Sequence, residues 1–337
     1  DIKIGFESTA HYALNLELFL ENAHHSFMEV NPVLIKGYKK STTLRRTKTD
    51  SVDCESIARW LITVEYKPHS KGFYHAYSLK SLTRLRDRLI RQRSFYLVKI
   101  TNVLDHTFPE FKPFFNERLS KTALYLLENY GSAEKMARMN SASYDKLRCI
   151  SRGKFSIQQF LRLKELAANT VGVNNSIFDL ELNTLLTLYK SLSDEINTLE
   201  TEIIKLIEEV HPHYMSIPGI GPISAAVIYA EYGDISNFSN PGQMLAFAGI
   251  EPGINDSGTE SHGGRMVKHG SSQLRYVLLN ACLPLIRFDL TFATYYEKKR
   301  AEGKKHRVAI THVAKKLIRV IYALERQDVD FNAQKLR

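Results

Sequence analysis

The chain has few cysteines: only Cys54, Cys149 and Cys282 occur in 337 residues. They are far apart and odd in number, which argues against a disulfide framework or a cysteine zinc site and favours a reducing interior. There is no run of about 18 apolar residues and no signal peptide. We therefore expect a cytoplasmic protein with no membrane partner.

Acidic residues are also in the minority, with 36 against 46 lysines and arginines and a net charge of +10. This balance suits a polyanionic partner, although basic proteins with other roles exist. The hydrophobic fraction of 44% is that of a soluble globular protein, and the length suggests two or three domains with ample core.

The first thirty residues have the pattern of a β-α-β unit. Ile2, Ile4 and Phe6 alternate with polar residues or glycine, which predicts a strand that ends at Glu7. An amphipathic helix over 12–23 and a second strand over 26–30 follow, so the sheet should be parallel and covered. Two strands make a marginal sheet, and the chain opens at Asp1 without a methionine. We expect the first half of this domain to lie upstream.

The rest of the chain reads as helical. We predict a helix over 50–63, a long basic helix over about 78–103 and interrupted helices over 105–175. A coiled-coil seam follows, and after His211-Pro212 a compact helical domain, with 238–249 and 273–285 as its most regular helices. The predicted domains are 1–77, 78–211 and 212–337. The seam residues are Leu182, Leu185, Tyr189, Leu192, Ile196, Leu199, Ile203, Leu206 and Val210.

Three carboxylates are candidate metal ligands. Glu7 ends a parallel strand, where α/β sheets place their sites, and Asp50 and Asp53 are three residues apart on one helix face. Clustered carboxylates bind Mg²⁺ through hard oxygen ligands. The competing interpretation is that Asp50 caps the helix and Asp53 complements its dipole.

A glycine turn at 217–222, Ile-Pro-Gly-Ile-Gly-Pro, resembles a helix-hairpin-helix. Free backbone N–H groups at Gly219 and Gly221 would suit a phosphate, whereas the alternative is a tight turn between packed helices. Ser257 precedes a glycine in a polar segment and is a weak nucleophile candidate by itself, since such a serine is usually turn chemistry.

Basic residues fall into groups that could hold nucleic acid. A run without acids between residues 36 and 48 precedes the predicted helix at 50, and the long helix carries five arginines between 84 and 93. A further basic segment spans 268–275. The candidate nucleic-acid-binding cations are Arg45, Arg46, Lys48, Arg84, Arg88, Arg91, Lys268 and Arg275.

Taken in order, these motifs resemble the DEDD-type insertion-sequence transposases related to Piv-like DNA invertases, the IS110 family. Residues 5–12 look like the second acidic motif of that family, and 48–53 look like its KTDxxDA box, with Cys54 in place of alanine. The C-terminal pattern of the family is matched by residues 217–225, 245–252, 257–258, 268–275, 292–304 and 312–317.

The resemblance implies a RuvC-like (RNase H-like) domain, a coiled-coil middle and a helical C-terminal domain with a nucleophilic serine. Glu7, Asp50 and Asp53 match the second to fourth acidic residues of a Mg²⁺ site, and Ser257 matches the serine. The first aspartate has no counterpart in the sequence: either it lies upstream, or the site is broken.

The resemblance further implies recombination through a phosphoserine intermediate, in a composite site shared between subunits of a dimer or tetramer paired by the coiled coil. It also implies donor and target DNA chosen by a noncoding bridge RNA. Two other functions stay open: a RuvC-like metal nuclease in which Ser257 is incidental, and an inactive nucleic-acid-binding remnant.

Overall fold

The structure is a computed structural model that describes residues 2–7, 13–42, 49–66, 68, 73–116, 119–257 and 260–336. Helices dominate it. Their bounds are α1 Ala13–Asn22, α2 Pro32–Thr42, α3 Asp50–Thr63, α4 Phe73–Thr107, α5 Phe111–Phe114, α6 Lys121–Tyr130, α7 Ala133–Ala137, α8 Ser141–Ile150, α9 Ile157–Ala168, α10 Ser176–Val210, α11 Pro222–Tyr232, α12 Pro241–Ala248, α13 Ser272–Phe288, α14 Leu290–Ala301 and α15 His306–Gln327. The strands are β1 Ile4–Glu7, β2 Phe27–Val30, β3 Pro252–Ser257 and β4 Glu260–Met266.

The chain divides into two compact units. The smaller contains Asp1–Tyr77 with Gly233–Ser239, and the larger contains Ser78–Tyr232 with Asn240–Arg337. We call them the N-terminal unit and the main unit. The division of the rest of the chain into a middle and a C-terminal domain stays a prediction.

The N-terminal unit contains the predicted β-α-β arrangement. Strands β1 and β2 are parallel, in a register that pairs Glu7 with Val30. Val30, Ile35 and Leu61 form a small buried core between β2, α2 and α3. Helix α2 begins at Pro32, a residue suited to the first helical turn, and it carries the start of the basic run as a helix rather than as an irregular segment.

Two long helices of the main unit, α4 and α10, run antiparallel. Arg86 of α4 donates a 2.8 Å hydrogen bond to Glu200 of α10, and farther along α4 the His106 ring stacks on Phe178, near the start of α10. Leu182, Ile196 and Ile203 of the predicted seam are buried within this one chain. Part of the seam therefore serves intramolecular packing, and pairing of subunits through it stays a prediction.

The C-terminal helices α11, α13 and α15 surround a second apolar core. Its fully buried members include Ile228, Leu278, Cys282, Val313 and Leu317. Asn240, Ser271 and Asp289 accept a backbone hydrogen bond at the start of α12, α13 and α14, which explains where these helices begin.

An antiparallel hairpin, β3–β4, interrupts this helical region. The C-terminal region is mostly helical, as predicted, but it also contains this strand pair, which was not predicted. The β3 sequence, Pro-Gly-Ile-Asn-Asp-Ser, is polar and has little alternation, so its pairing depends on partner backbone rather than on a buried face.

Within the described residues, no single helix is long and apolar enough to cross a membrane. The bent pair α13–α14 meets the length and composition criteria only when its two helices are joined.

Candidate active site and nucleic-acid interface

Ser257 is the last residue of β3. Its backbone pairs with Glu260 of β4, and the register continues through Asp256 opposite Ser261 and Asn255 opposite His262. The serine therefore belongs to a pair of antiparallel strands and does not lie in a loop without regular structure.

The base of this hairpin is held by a tight backbone arrangement. Val267 donates a 3.0 Å hydrogen bond to the Glu251 carbonyl, and Ser271 donates one of 3.2 Å to the Phe247 carbonyl. Gly270, with φ of +136°, approaches that carbonyl so closely that a Cβ would collide with it. The hairpin therefore emerges between the end of α12 and the start of α13.

The three candidate metal ligands all belong to the N-terminal unit, with Glu7 at the end of β1 and Asp50 and Asp53 in the first turn of α3. Lys3 donates a hydrogen bond to the carbonyl of Leu61 and Tyr66 donates one to that of Ile4, so the end of α3 lies against the start of β1.

The first turn of α3 also supports the competing structural interpretation. The Thr49 side chain caps the helix by accepting a 3.3 Å bond from the Val52 amide, so the cap is not Asp50. Both aspartates are in the positive first turn, where carboxylates stabilise a helix by about 0.3–1 kcal/mol each. The Asp53 carboxylate is half-buried and contacts the ammonium of Lys39 on α2.

Glu7, Asp50 and Asp53 are chemically suited to Mg²⁺, because they offer hard carboxylate oxygens. At Asp53 a cationic ammonium already contacts one of these oxygens, so this position accepts positive charge. Among the described residues, however, no three acidic, histidine or cysteine side chains are gathered closely enough to hold a metal ion. Metal binding by Glu7, Asp50 and Asp53 stays a prediction.

A further carboxyl group, which the sequence analysis did not single out, is buried in this unit. Glu17 of α1 is 4% exposed. Burial raises the pKa of Glu17 to about 7, with smaller contributions from the charges of Glu29 and Glu21. In the sequence Glu17 lies among the apolar residues Leu16, Leu18 and Phe19, which is the only indication that it is buried. A single acidic residue within an apolar segment is too common to predict a role.

The glycine turn has a packing role at one of its two glycines. Gly219 has a φ of +96°, and a Cβ there would lie 2.8 Å from Pro284 Cγ and 3.1 Å from the Ala281 carbonyl oxygen of α13. Gly221 has nothing within 4 Å of the corresponding position. A four-residue 3-10 helix, His213–Ser216, precedes the turn, so the first helix of the expected helix-hairpin-helix is a short one.

The two glycines supply a matched pair of variants. We expect Gly219→Ala to lower the free energy of unfolding by about 2–4 kcal/mol, because it adds left-handed strain and a clash with α13. Gly221→Ala should stay within about 0.5 kcal/mol of the parent chain. Urea denaturation followed by circular dichroism measures both. Equal stabilities would show that α13 does not constrain the turn.

Three of the candidate arginines line one cavity of the main unit. Arg84, Arg88 and Arg91 of α4 face residues 270–273 across a space of about 480 Å³. Arg84 is also bidentate to Glu231, whose side chain is only 2% exposed, and Arg91 pairs with Asp87 at 2.8 Å. Arg84 therefore compensates a buried charge, whereas Arg88 is exposed toward the cavity. We call this cavity the arginine cleft.

The remaining basic candidates divide into three cases. Arg275 donates a 3.2 Å hydrogen bond to the Ala248 carbonyl and so joins α13 to α12. Lys268 is exposed, with a left-handed φ of +55°. Arg45, Arg46 and Lys48 lie outside the described residues.

Comparison with known proteins identifies two matching families over two parts of the chain. Residues 1–109 match a DEDD transposase family of the IS110 type, described as "Transposase". Residues 212–297 match the family described as "Transposase IS116/IS110/IS902 family". Glu7, Asp50 and Asp53 fall in the first match, and Ser257 falls in the second.

Three similar proteins span different shares of the chain. An insertion element IS110 uncharacterized protein of Streptomyces coelicolor is 27% identical, over 70% of this chain and 60% of the relative. An insertion element IS900 uncharacterized protein of Mycobacterium paratuberculosis is 28% identical, over 83% of this chain and 71% of the relative. The pilin gene-inverting protein of Moraxella bovis is 27% identical over 42% of this chain and 46% of the relative.

Both matches are to transposase families of the IS110 type. The chain belongs to the IS110/IS116 family of insertion-sequence transposases. It spans less than two thirds of the Streptomyces relative.

Proposed function

We propose that the protein is a DNA recombinase that moves an insertion sequence by cutting and rejoining DNA through a covalent phosphoserine intermediate. The observation that carries the proposal is the position of the two family matches. One covers the three carboxylates and the other covers the serine, so both halves of the chemistry fall within transposase sequence.

In the proposed reaction the Oγ of Ser257 attacks a scissile phosphodiester. An Oγ–P bond forms, the P–O bond to one nucleoside breaks, and the hydroxyl proton ends on the departing oxygen. The phosphoserine keeps the energy of the broken ester, so a DNA hydroxyl can reverse the exchange and rejoin a strand without a nucleotide cofactor.

Glu7, Asp50 and Asp53 would hold Mg²⁺ on a RuvC-like (RNase H-like) scaffold. Bound there, the ion would supply positive charge for the phosphate oxygens and for activation of the serine hydroxyl. In this structure the Asp53 carboxylate contacts the ammonium of Lys39, a cation whose place at this carboxylate the metal ion would take over.

In this proposal a noncoding guide RNA selects the donor and target DNA sequences. Lysine and arginine contacts to phosphates do not read base sequence. Pairing by a guide is then an economical source of specificity, as in other RNA-guided systems. The basic run that begins on α2 and the arginine cleft are the proposed surfaces for this RNA, and α10 is the proposed element that pairs subunits into a dimer or tetramer.

The guide is tested by purifying the protein from cells that carry its whole element and sequencing the RNA that copurifies. We expect one discrete RNA encoded by the element, and integration sites that change when its loops are changed. Site-specific recombination by RNase-treated protein with no RNA added would contradict the guide.

A second candidate function is hydrolysis of DNA by the carboxylates alone. It is favoured by the fact that Glu7, Asp50 and Asp53 belong to a compact unit that does not include Ser257. The two functions differ in product: a hydrolase releases 5′-phosphate and 3′-hydroxyl ends, whereas the recombinase retains one end on the protein. A remnant without activity would give neither product.

A further inference from the structure

A concentration of positive charge lies on α14, α15 and the turn between them. Residues 290–319 contain nine lysines and arginines against two glutamates, an excess of seven in a chain whose net charge is +10. Most of this segment lies beyond residue 297, where the second family match ends. We call it the basic helical hairpin. Its cations are Lys298, Lys299, Arg300, Lys304, Lys305, Arg307, Lys315, Lys316 and Arg319.

The apolar residues of α15 fix which way these cations point. Ile310, Val313, Leu317 and Ile321 are buried in the C-terminal core, so the polar face of the helix is turned to solvent. Lys298, Arg300, Lys304, Lys305, Arg307 and Arg319 are exposed, and Lys315 and Lys316 are half-buried. The charges of Lys299, Lys304 and Lys315 act on the ring of His312, so cations of both helices share one part of this surface.

Along α15 the basic residues recur at helical spacing. Lys305, His312, Lys315 and Arg319 are separated by seven, three and four residues, which aligns them on one face. Burial and the charges of nearby lysines lower the pKa of His312, so the permanent charges of the row are Lys305, Lys315 and Arg319. At 1.5 Å per residue the row is about 21 Å long, close to the length of six base pairs at 3.4 Å each. A row of this length matches the backbone of a duplex.

Like charges lie close together in this segment, although Glu302 pairs with Lys299 and the charge of Glu251 favours the charged form of Lys315. Helix α15 begins after Lys305 without a side-chain cap and with no acid in its first turn, so cations surround the positive end of its dipole. Burial lowers the pKa of Lys315, and the nearby Arg319 lowers it further. A polyanion lying on this surface would remove the repulsion among these groups.

The aromatic rings of the hairpin are already engaged. Lys316 lies over the rings of Phe292 and Tyr295, and Lys299 also lies over Tyr295. The Tyr296 hydroxyl is bonded to the His306 ring at 2.7 Å. Proteins that hold single strands stack bases on accessible rings. Rings covered in this way favour contact with a duplex backbone instead.

We propose that the basic helical hairpin binds the phosphate backbone of duplex DNA, without reading its sequence. The choice of DNA over RNA rests on the proposed function, in which Ser257 of the same unit attacks DNA and the arginine cleft is left to the guide RNA. It would hold the duplex while the guide RNA occupies other surfaces.

The test uses the full chain with Lys304, Lys305 and Arg307 each changed to glutamine. The matched control changes Lys146, Arg148 and Lys154, three exposed cations elsewhere in the same unit, in the same way. Both variants lose three charges, so a general effect of net charge cancels. Circular dichroism confirms that both are folded.

Affinity for a 30-base-pair duplex of arbitrary sequence is measured at several salt concentrations, beside a duplex RNA of equal length. Three lost phosphate contacts should reduce the slope of log K against log salt by about 2.7 and weaken DNA binding by roughly 10²–10³-fold near 0.1 M salt. The control should retain the slope and affinity of the parent chain.

Equal DNA affinity and equal slopes for the two triple variants would overturn the proposal. So would a loss confined to duplex RNA, since the surface would then serve the guide. Covalent capture of DNA by the parent chain is scored separately. If the parent chain binds duplex DNA but captures none covalently, the serine mechanism is rejected and the proposal for this surface is unaffected.

Discussion

Ser257→Ala is expected to abolish the covalent protein–DNA adduct completely while leaving the fold and nucleic-acid affinity unchanged. Removal of the hydroxyl removes the atom that would bond to phosphorus, and nothing else in alanine can replace it. The residue is the last of β3, and we expect the loss of one hydroxyl group to have little effect on stability. Denaturing gels with a DNA substrate that traps the intermediate measure the adduct.

A second serine in the same hairpin is the control. Ser261 lies on β4, paired with Asp256, and Ser261→Ala makes the same chemical change in the same local structure. We expect this variant to retain the adduct. An adduct that persists in Ser257→Ala would place the nucleophile elsewhere.

Asp50→Asn and Asp53→Asn are each expected to lower Mg²⁺-dependent strand transfer by about 10²–10³-fold, which corresponds to loss of a few kcal/mol of charge stabilisation. Binding of nucleic acid should be unaffected, since it depends on the basic surfaces. Strand transfer at saturating DNA, over a range of Mg²⁺ concentrations, measures the effect.

The control for the aspartates is Glu55→Gln on the same helix. Glu55 pairs with Arg59 at 2.7 Å on the exposed face of α3, so its loss changes the charge of the helix without touching the proposed site. Unfolding of the two asparagine variants would favour the purely structural role of these aspartates in the first helical turn. Full recombination by either would remove the carboxylates from the mechanism.

The N-terminal unit followed from the sequence because its patterns are local and strong. Alternation at Ile4 and Phe6 gave β1, and the helix predicted over 50–63 has those same bounds in the structure, with Thr49 as its cap. A β-α-β pattern also requires parallel strands, which the pairing of Glu7 with Val30 confirms.

The hairpin that carries Ser257 could not be predicted in the same way. Its strands contain Gly253, Gly263 and Gly264 and are largely polar, so neither alternation nor strand propensity marks them. Its base depends on contacts from α12 and α13, including the approach of Gly270 to the Phe247 carbonyl. Contacts between distant segments leave little trace in a single sequence.

The arginines of α4 show that contacts between distant segments also limit the prediction of functional residues. Arg84, Arg88 and Arg91 look equivalent in the sequence, as a basic stripe on one helix. In the structure Arg84 is bound to the buried Glu231, 147 residues away, whereas Arg88 remains exposed. Charge counts therefore predicted a basic surface but not which members compensate charges inside the protein.

The central claim, covalent catalysis by Ser257, is tested most directly by mass spectrometry of the peptide that remains attached to DNA. The parent chain is incubated with Mg²⁺, guide RNA and a trapping substrate, and the adduct is digested with protease and nuclease. We expect a nucleotide remnant joined through phosphate to Ser257. A remnant on another residue, or cleaved DNA with free ends and no attached peptide, would contradict it.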